Sequence, residues 1–165
     1  AAIYQEFNLV PALSVRENIS LASLDKLSRR KVINRNREIQ GAEEYREKLN
    51  IKTPSISQLT GNLSGGNQQK VCLSRWIFAN PDVLILDEPT RGIDVGAKYE
   101  IYNIINRLAA DGKAVIIISS ELPEVLGISD RVYVMNQGRI VGELDKTEAT
   151  QESVMRCIMQ SSREG

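Results

Sequence analysis

The sequence predicts an α/β fold built around a mainly parallel sheet, and three observations support that fold class. Two short apolar runs, residues 83–86 and 114–118, have the length and continuous hydrophobicity of strands covered on both faces. Helical patterns separate these runs, so that strand and helix alternate along the chain. With 165 residues, 42% hydrophobic and 25% charged, the chain is long enough for a sizeable core and is typical of a globular protein.

The N-terminal half is predicted to be largely helical. Residues 1–20 form a loop and a short helix, because Pro11 interrupts the chain and Ser14 and Glu17 have the spacing of a capping box. Residues 21–50 are polar and helical, and they carry a basic cluster: Arg29, Arg30, Lys31, Arg35 and Arg37. Two interpretations of this cluster stay open. One is contact with an anionic partner; the other, which we favour, is a solvated helix face balanced by the acids that follow.

The C-terminal half has more regular patterns. Ser64 is the predicted N-cap of a helix that runs to about Ala79, and Asp94 caps the next helix, which stops at Gly112. The remaining predicted elements are a short helix at 123–126, a strand at 131–135, its antiparallel partner at 139–143 and a final helix at 150–160. Cys72 and Cys157 lie among helical apolar residues and are expected to be reduced thiols, since no metal-ligand spacing is present.

Polar side chains follow both predicted parallel strands. Asp87 and Glu88 come directly after the first strand, and residues 119–121 follow the second, so both groups are expected at the sheet edge where ligands gather. Asp87 could hold Mg²⁺ through water, and Glu88 could face a water that attacks a γ-phosphate. The alternative is a pair of carboxylates in an ordinary loop.

A glycine pair begins the helix that precedes the first of these strands. Ser64, Gly65 and Gly66 offer backbone N–H groups at a helix N-terminus, which is the usual construction of a phosphate site. Glycine also allows the backbone to approach oxygen atoms closely. The alternative is a helix cap that follows a glycine turn.

These two segments carry a family resemblance. LSGGNQQ at 63–69 and VLILDEPT at 83–90 resemble the signature and Walker B motifs of the ABC-type ATPases. The chain is similar in particular to the second ATPase half of bacterial monosaccharide importers of the ribose, galactose and xylose types, on residues 87–97 and 119–125. The resemblance implies a P-loop NTPase fold with a helical subdomain. Residues 1–80 would hold the Q-loop, the helical subdomain and the signature helix, and 81–165 Walker B, the D-loop, the switch region and a C-terminal hairpin and helix.

The resemblance also implies roles for single residues, with ATP and Mg²⁺ as cofactors. Ser64, Gly65 and Gly66 would contact the γ-phosphate bound by a second ATPase module in a head-to-tail dimer. Gln5 resembles the Q-loop glutamine, which approaches magnesium and couples the site to the membrane subunit. The full set is Glu88 and Ser120 for catalysis, Ser64, Gly65, Gly66, Gln68, Asp94 and Gln5 for ATP, and Asp87 and Gln5 for the metal.

The implied partners are the second ATPase module, membrane permease subunits and, indirectly, a periplasmic sugar-binding protein. The implied location is cytoplasmic, peripheral on the inner face of the cell membrane. Equal numbers of Lys+Arg and Asp+Glu, 21 each, argue against a nucleic-acid partner. An ABC-type ATPase of DNA repair or translation is disfavoured as well, because the sequence shows neither the long coiled-coil insertions nor the stronger basic patches expected of such proteins.

Two departures from the family pattern leave two functions open. No G-x-x-x-x-G-K-[ST] loop occurs, and the chain does not begin with Met, so we expect a fragment that lacks about a third of its ATPase domain. Ser120 stands where most ABC ATPases have a histidine, and a hydroxyl cannot carry a stable positive charge. The chain is either the ATP-hydrolysing subunit of a sugar importer, inactive as a fragment, or a non-catalytic module that supplies the signature motif in trans. In isolation we expect it to be marginally stable and prone to association.

Overall fold

The computed structural model describes the backbone of Ala2–Ile3 and residues 9–162. Two compact units divide the chain, Ala1–Ile118 and Ser119–Gly165, and each is described by itself. Among the described residues, no helix is both long enough and apolar enough to cross a membrane.

The first unit combines a short sheet with a helical region. Its elements in chain order are β1 (Ala2–Ile3), α1 (Val15–Ser20), α2 (Leu24–Leu27), β2 (Ser28–Arg29), β3 (Val32–Ile33), α3 (Arg35–Lys48), α4 (Gly65–Phe78), β4 (Val83–Asp87), α5 (Val95–Ala110) and β5 (Ala114–Ile118). Single 3₁₀ turns occupy Leu21–Ser23 and Thr60–Asn62. The prediction of one polar helical segment over 21–50 is therefore wrong, because a two-stranded antiparallel hairpin, β2–β3, interrupts it.

The sheet of this unit is parallel, with strand order β1-β4-β5. The prediction that its strands are covered on both faces is wrong. In β4, Leu84 and Leu86 are buried while Val83 is exposed, and in β5 the side chains of Ile116 and Ile118 are about half exposed. One face of this sheet is thus packed and the other presents aliphatic side chains.

The helical region is built on α1, α3 and α4, which pack against one another. The capping box predicted before α1 is confirmed: the Glu17 N–H donates to Ser14 Oγ (3.2 Å) and the Ser14 N–H donates to the Glu17 carboxylate (2.8 Å). Asn18 and Arg75 tie α1 to α4 in the interior, where Arg75 Nη2 donates to Asn18 Oδ1 at 2.6 Å. Burial lowers the pKa of the Arg75 guanidinium. Burial also raises the pKa of the nearby Cys72 thiol to about 11.

The second unit is a hairpin flanked by two helices. Its elements are α6 (Leu122–Ile128), β6 (Arg131–Asn136), β7 (Arg139–Asp145) and α7 (Gln151–Ser161). β6 and β7 pair antiparallel, as predicted, with an irregularity between Val134 and Met135. Val132, Val134 and Val154 form its core. Both cysteines are free; Cys157, which lies on α7, is half-buried.

Candidate nucleotide site

Two carboxylates end the central strand of the parallel sheet. Asp87 is the last residue of β4 and pairs with Ile118 in β5; Glu88 follows it, and both side chains are half-buried. Glu88 has φ +48°, and its N–H donates to the Ile118 carbonyl oxygen at 2.8 Å. A left-handed backbone costs a residue with a side chain about 1–2 kcal/mol. Such strain gathers at functional sites, where the surrounding structure holds it in place.

The segment between β4 and α5 is a compact double turn. Pro89 and Thr90 are buried directly after the carboxylates. The Arg91 N–H donates to the Glu88 carbonyl oxygen and the Ile93 N–H to that of Thr90. Gly92, at φ +73°, supplies the left-handed turn that brings the chain to the start of α5.

Asp94 caps α5, as predicted. Its carboxylate accepts the Ala97 N–H at 3.0 Å. The sequence from Asp87 to Asp94 is therefore held at both ends, by the sheet hydrogen bond of Glu88 and by this helix cap.

The start of α4 is held by side chains of its own segment. Ser64 occupies the N-cap position, but its hydroxyl makes no capping hydrogen bond. Ser64 Oγ instead accepts from Asn67 Nδ2 at 2.9 Å, so the hydroxyl retains its hydrogen for donation. Asn67 Oδ1 in turn accepts the backbone N–H of Lys52 at 2.8 Å. Gln68, predicted to bind ATP, turns its amide back onto the Leu63 carbonyl oxygen at 2.9 Å.

The two glycines of α4 have different surroundings. Gly65 is exposed, and a methyl group added there would meet nothing within 4 Å. Gly66 is buried, and a methyl group there would lie 2.8 Å from Ala97 Cβ and 3.7 Å from Ile93 Cγ2. From the sequence, both glycines are predicted to let the backbone approach an anion. In the structure, Gly66 instead allows α4 to pack closely against the start of α5.

A cleft of about 300 Å³ lies where the two helices begin. Its walls combine both helix starts with two lysines and two acids: Lys52, Ser64, Gly66, Asn67, Lys70, Asp94, Gly96, Ala97 and Glu100. Lys70 is almost fully buried; its ammonium pairs with the Glu100 carboxylate and donates to the Asn50 carbonyl oxygen at 2.9 Å.

Sequence reasoning missed Lys52, Lys70 and Glu100. For Lys70 a signal existed, because it lies four residues after Gly66 and therefore on the same side of α4. Lys52 and Glu100 come from other parts of the chain and carry no comparable signal.

The remaining predicted residues lie elsewhere. Ser120 is exposed at the start of the second unit, next to a hydrogen-bonded turn in which the Glu121 N–H donates to Ser119 Oγ at 3.0 Å. The Ser119 hydroxyl also bonds to the Glu124 carboxylate. The expectation that Ser120 shares one edge with Asp87 concerns two separate units and stays a prediction. Gln5 lies outside the described residues.

The end of β4 is suited to a Mg²⁺ ion that is bound together with a substrate. Mg²⁺ is usually bound by one or two carboxylates, several waters and the phosphates of its substrate. Asp87 supplies such a carboxylate at the end of β4, and Glu88 follows it directly. Asp87 therefore fits a Mg²⁺ ion that takes its other ligands from water and phosphate oxygens.

Comparison with known families agrees with this geometry. A family model described as ABC transporter matches residues 1–91, which is more than half of the chain. The chain belongs to the ABC transporter family. Its fold is similar to that of the ATP-binding cassette MJ0796, in a dimeric post-hydrolysis state bound to ADP and Pi. That similarity has a TM-score of 0.74 at 25% identity, over 88% of this chain and 62% of that one. The cassette MJ1267 gives a TM-score of 0.78 at 24% identity, over 95% and 67%.

Curated relatives of this ABC transporter chain carry the names of sugar transport proteins. It is 59% identical over 148 residues to the L-arabinose transport ATP-binding protein AraG of Geobacillus stearothermophilus, covering 90% of this chain and 29% of the relative. The xylose import ATP-binding protein XylG of Thermoanaerobacter pseudethanolicus is 56% identical over 153 residues, covering 93% and 30%. The ribose import ATP-binding protein RbsA of Clostridium perfringens is 57% identical over 145 residues, covering 87% and 29%. The chain thus spans about 30% of the length of these relatives.

Proposed function

We propose that this chain is part of the ATP-binding subunit of an ABC-type sugar import system, which couples ATP hydrolysis to carbohydrate transport. The observation that carries the proposal is the start of α4: a helix N-terminus with an open glycine, Gly65, beside a cleft of about 300 Å³. Relatives named for arabinose, xylose and ribose transport support the substrate class.

In this proposal the start of α4 binds the terminal phosphate of ATP. Backbone N–H groups at a helix N-terminus favour an anion, and the absence of a side chain at Gly65 leaves room for phosphate oxygens. The Ser64 hydroxyl adds a donor, because its oxygen already accepts from Asn67. Asp94 of the D-loop and Gln68 of the signature helix are proposed to lie beside this contact, where the amide hydrogen that Gln68 does not donate to Leu63 would remain available.

The carboxylates of β4 would serve a second nucleotide on the same module. Glu88 would orient the attacking water and accept its proton, while Asp87 would hold magnesium through water. Mg²⁺, when bound, neutralises charge on the phosphates. Ser120 and Gln5 are proposed to approach the same nucleotide.

A head-to-tail pair of ATPase modules reconciles these two roles. The phosphate bound by α4 would belong to the partner module, and the dimeric MJ0796 cassette is a solved example of such modules in pairs. We infer that permease subunits hold the pair at the inner face of the cell membrane, with a periplasmic sugar-binding protein acting indirectly.

A mixed assay tests the in-trans role of α4. The chain is combined with a module that carries a Walker A loop, and ATP turnover is measured with S64R and with the control S57R. Ser57 is an exposed serine of the same unit that does not line the cleft. We expect S64R to lower turnover at least tenfold, because a bulky cation blocks the start of α4, and S57R to leave it unchanged. Equal turnover in S64R and the unmodified chain contradicts the proposal.

The second candidate is a non-catalytic module that only supplies the signature motif. It is favoured by Ser120, which stands where most ABC ATPases have a histidine. E88Q separates the two candidates when it is made in the full-length subunit, which would also carry the Walker A loop, since it removes the proposed base while keeping the size of the side chain. If this module hydrolyses ATP, E88Q lowers total turnover; if it only assists, E88Q has no effect while S64R still does.

A further inference from the structure

We propose that the basic hairpin, defined as residues 28–37, docks on an anionic lipid surface. This segment holds β2, β3 and the first turn of α3, far along the chain from the candidate nucleotide site. The proposal goes beyond the proposed function and does not depend on nucleotide binding.

Charge is the first observation. Between residues 29 and 37 there are five basic side chains and no acidic one, and every residue of this stretch is exposed. Within the described part of the chain, none of the five forms a salt bridge. The five are Arg29, Arg30, Lys31, Arg35 and Arg37.

Most of the acids that follow are already paired, with Glu47 as the exception, which weakens the main reason to regard this cluster as a balanced helix face. Glu38 is buried, where its carboxylate pairs with Arg16 Nε at 3.2 Å and accepts from Ser20 Oγ at 2.8 Å. Glu43 and Glu44 pair with Arg46 and Lys48 of their own helix. The pKa of the Glu17 carboxyl is lowered mainly by hydrogen bonds from Ser14 and to a smaller extent by Arg35, but most of the positive charge of the hairpin is not balanced by these acids and is open to an external partner.

Aliphatic side chains accompany this charge. Val32 is 69% exposed and Ile33 43%, and both lie in β3, directly after the basic turn. Cations beside exposed aliphatic groups are the combination that binds anionic bilayers, because the charges attract the lipid headgroups while the apolar groups enter the interface. An acidic protein could also contact both kinds of side chain; we favour the bilayer because its interface takes up cations and small aliphatic groups without a matching pocket.

The turn itself is unfavourable for its residues. Arg30 and Lys31 have φ +53° and +65°, so the loop has two successive left-handed residues, a conformation for which Asn-Gly is the preferred sequence. Arg-Lys in these positions makes the turn less stable than Asn-Gly would, and it adds two positive charges at the tip. Such a strained sequence is expected where the charges serve a function.

Vesicle binding tests the proposal. The chain is titrated with vesicles of phosphatidylcholine alone and of phosphatidylcholine mixed with phosphatidylglycerol, at low and high salt. We expect binding to the anionic vesicles only, weakened by salt. R30N/K31G should weaken it about 5- to 30-fold, from roughly a fivefold contribution for each basic residue at the surface. Because Asn-Gly suits the turn, the Tm of this variant should be unchanged or higher.

Two controls isolate the hairpin. R107Q/R139Q removes the same charge from exposed positions elsewhere and should bind vesicles like the unmodified chain. V32S/I33S should reduce the binding that persists at high salt. Equal binding by R30N/K31G and the unmodified chain overturns the proposal, as does equal binding to neutral vesicles. Binding to soluble polyglutamate without binding to anionic vesicles also overturns it, and points to an acidic protein instead.

Discussion

Replacing Gly66 by alanine tests the packing of α4 against α5. The added methyl group would lie 2.8 Å from Ala97 Cβ, closer than real Cβ atoms approach, so one helix start must shift. Overpacking of this kind costs about 1–3 kcal/mol, and the better helix propensity of alanine returns at most about 1 kcal/mol. We therefore expect a net loss of up to about 2 kcal/mol, with about 1 kcal/mol as the central value. A loss of about 1 kcal/mol corresponds to a Tm lower by roughly 2–4 °C for a chain of this length.

The double variant G66A/A97G makes this test specific. Removing the Ala97 methyl group should relieve the clash, so that the double variant is more stable than the sum of the two single changes predicts, by about 1 kcal/mol or more. G65A is the matched control, because a methyl group there meets nothing within 4 Å. Urea unfolding of the four proteins measures the cycle. The reasoning would be refuted if the changes in unfolding free energy of G66A and A97G were additive. It would also be refuted if the G65A variant were as unstable as G66A.

Three further predictions concern single side chains. Burial raises the pKa of the Cys72 thiol to about 11 from 9.0 in the unfolded chain, so the stability that depends on the neutral thiol is fully present below about pH 9. That stability, on the order of 3 kcal/mol, is lost as the pH rises through about 11, and urea melts of C72A should lack this loss. G142A should lower the Tm, because its methyl group would lie 2.6 Å from Cys157 Sγ. Adding C157A to G142A should restore part of the lost Tm, and a double variant with no higher Tm than G142A contradicts the contact. S14A should destabilise the chain by about 1 kcal/mol and raise the pKa of Glu17, which hydrogen bonds from Ser14 now lower, as an NMR titration would show.

Local signals predicted the helix starts well. Ser14 and Asp94 cap their helices as the sequence indicates, and Thr150 also forms a box with Ser153. A cap depends on residues within one helical turn, so its spacing is visible in the sequence. The antiparallel hairpin after Arg131 was likewise predicted, because Asn136-Gln137-Gly138 is a strong turn signal.

Features that depend on distant neighbours were not predicted. Burial of a strand face depends on what packs against it, so the exposure of Ile116 and Ile118 is invisible in an apolar run. The β2–β3 hairpin was missed because Arg30-Lys31 lacks the residues that favour a left-handed turn. The pairing of Lys70 with Glu100 joins two helices that are separated by a whole strand in the sequence.

The two glycines at the start of α4 serve different physical purposes. Gly65 is open, so a methyl group there leaves the fold intact. Under the proposal that the start of α4 binds phosphate, G65A lowers ATP turnover in the mixed assay without lowering the Tm. Gly66 touches α5 three residues after the Asp94 cap, so a change there acts on the fold first and on the ligand only through it. Stability measurements alone would therefore miss an effect of G65A on the ligand. Activity measurements alone would not show that G66A acts through the fold. Measured together, the two variants separate a residue that leaves room for phosphate from one that joins the helices around it.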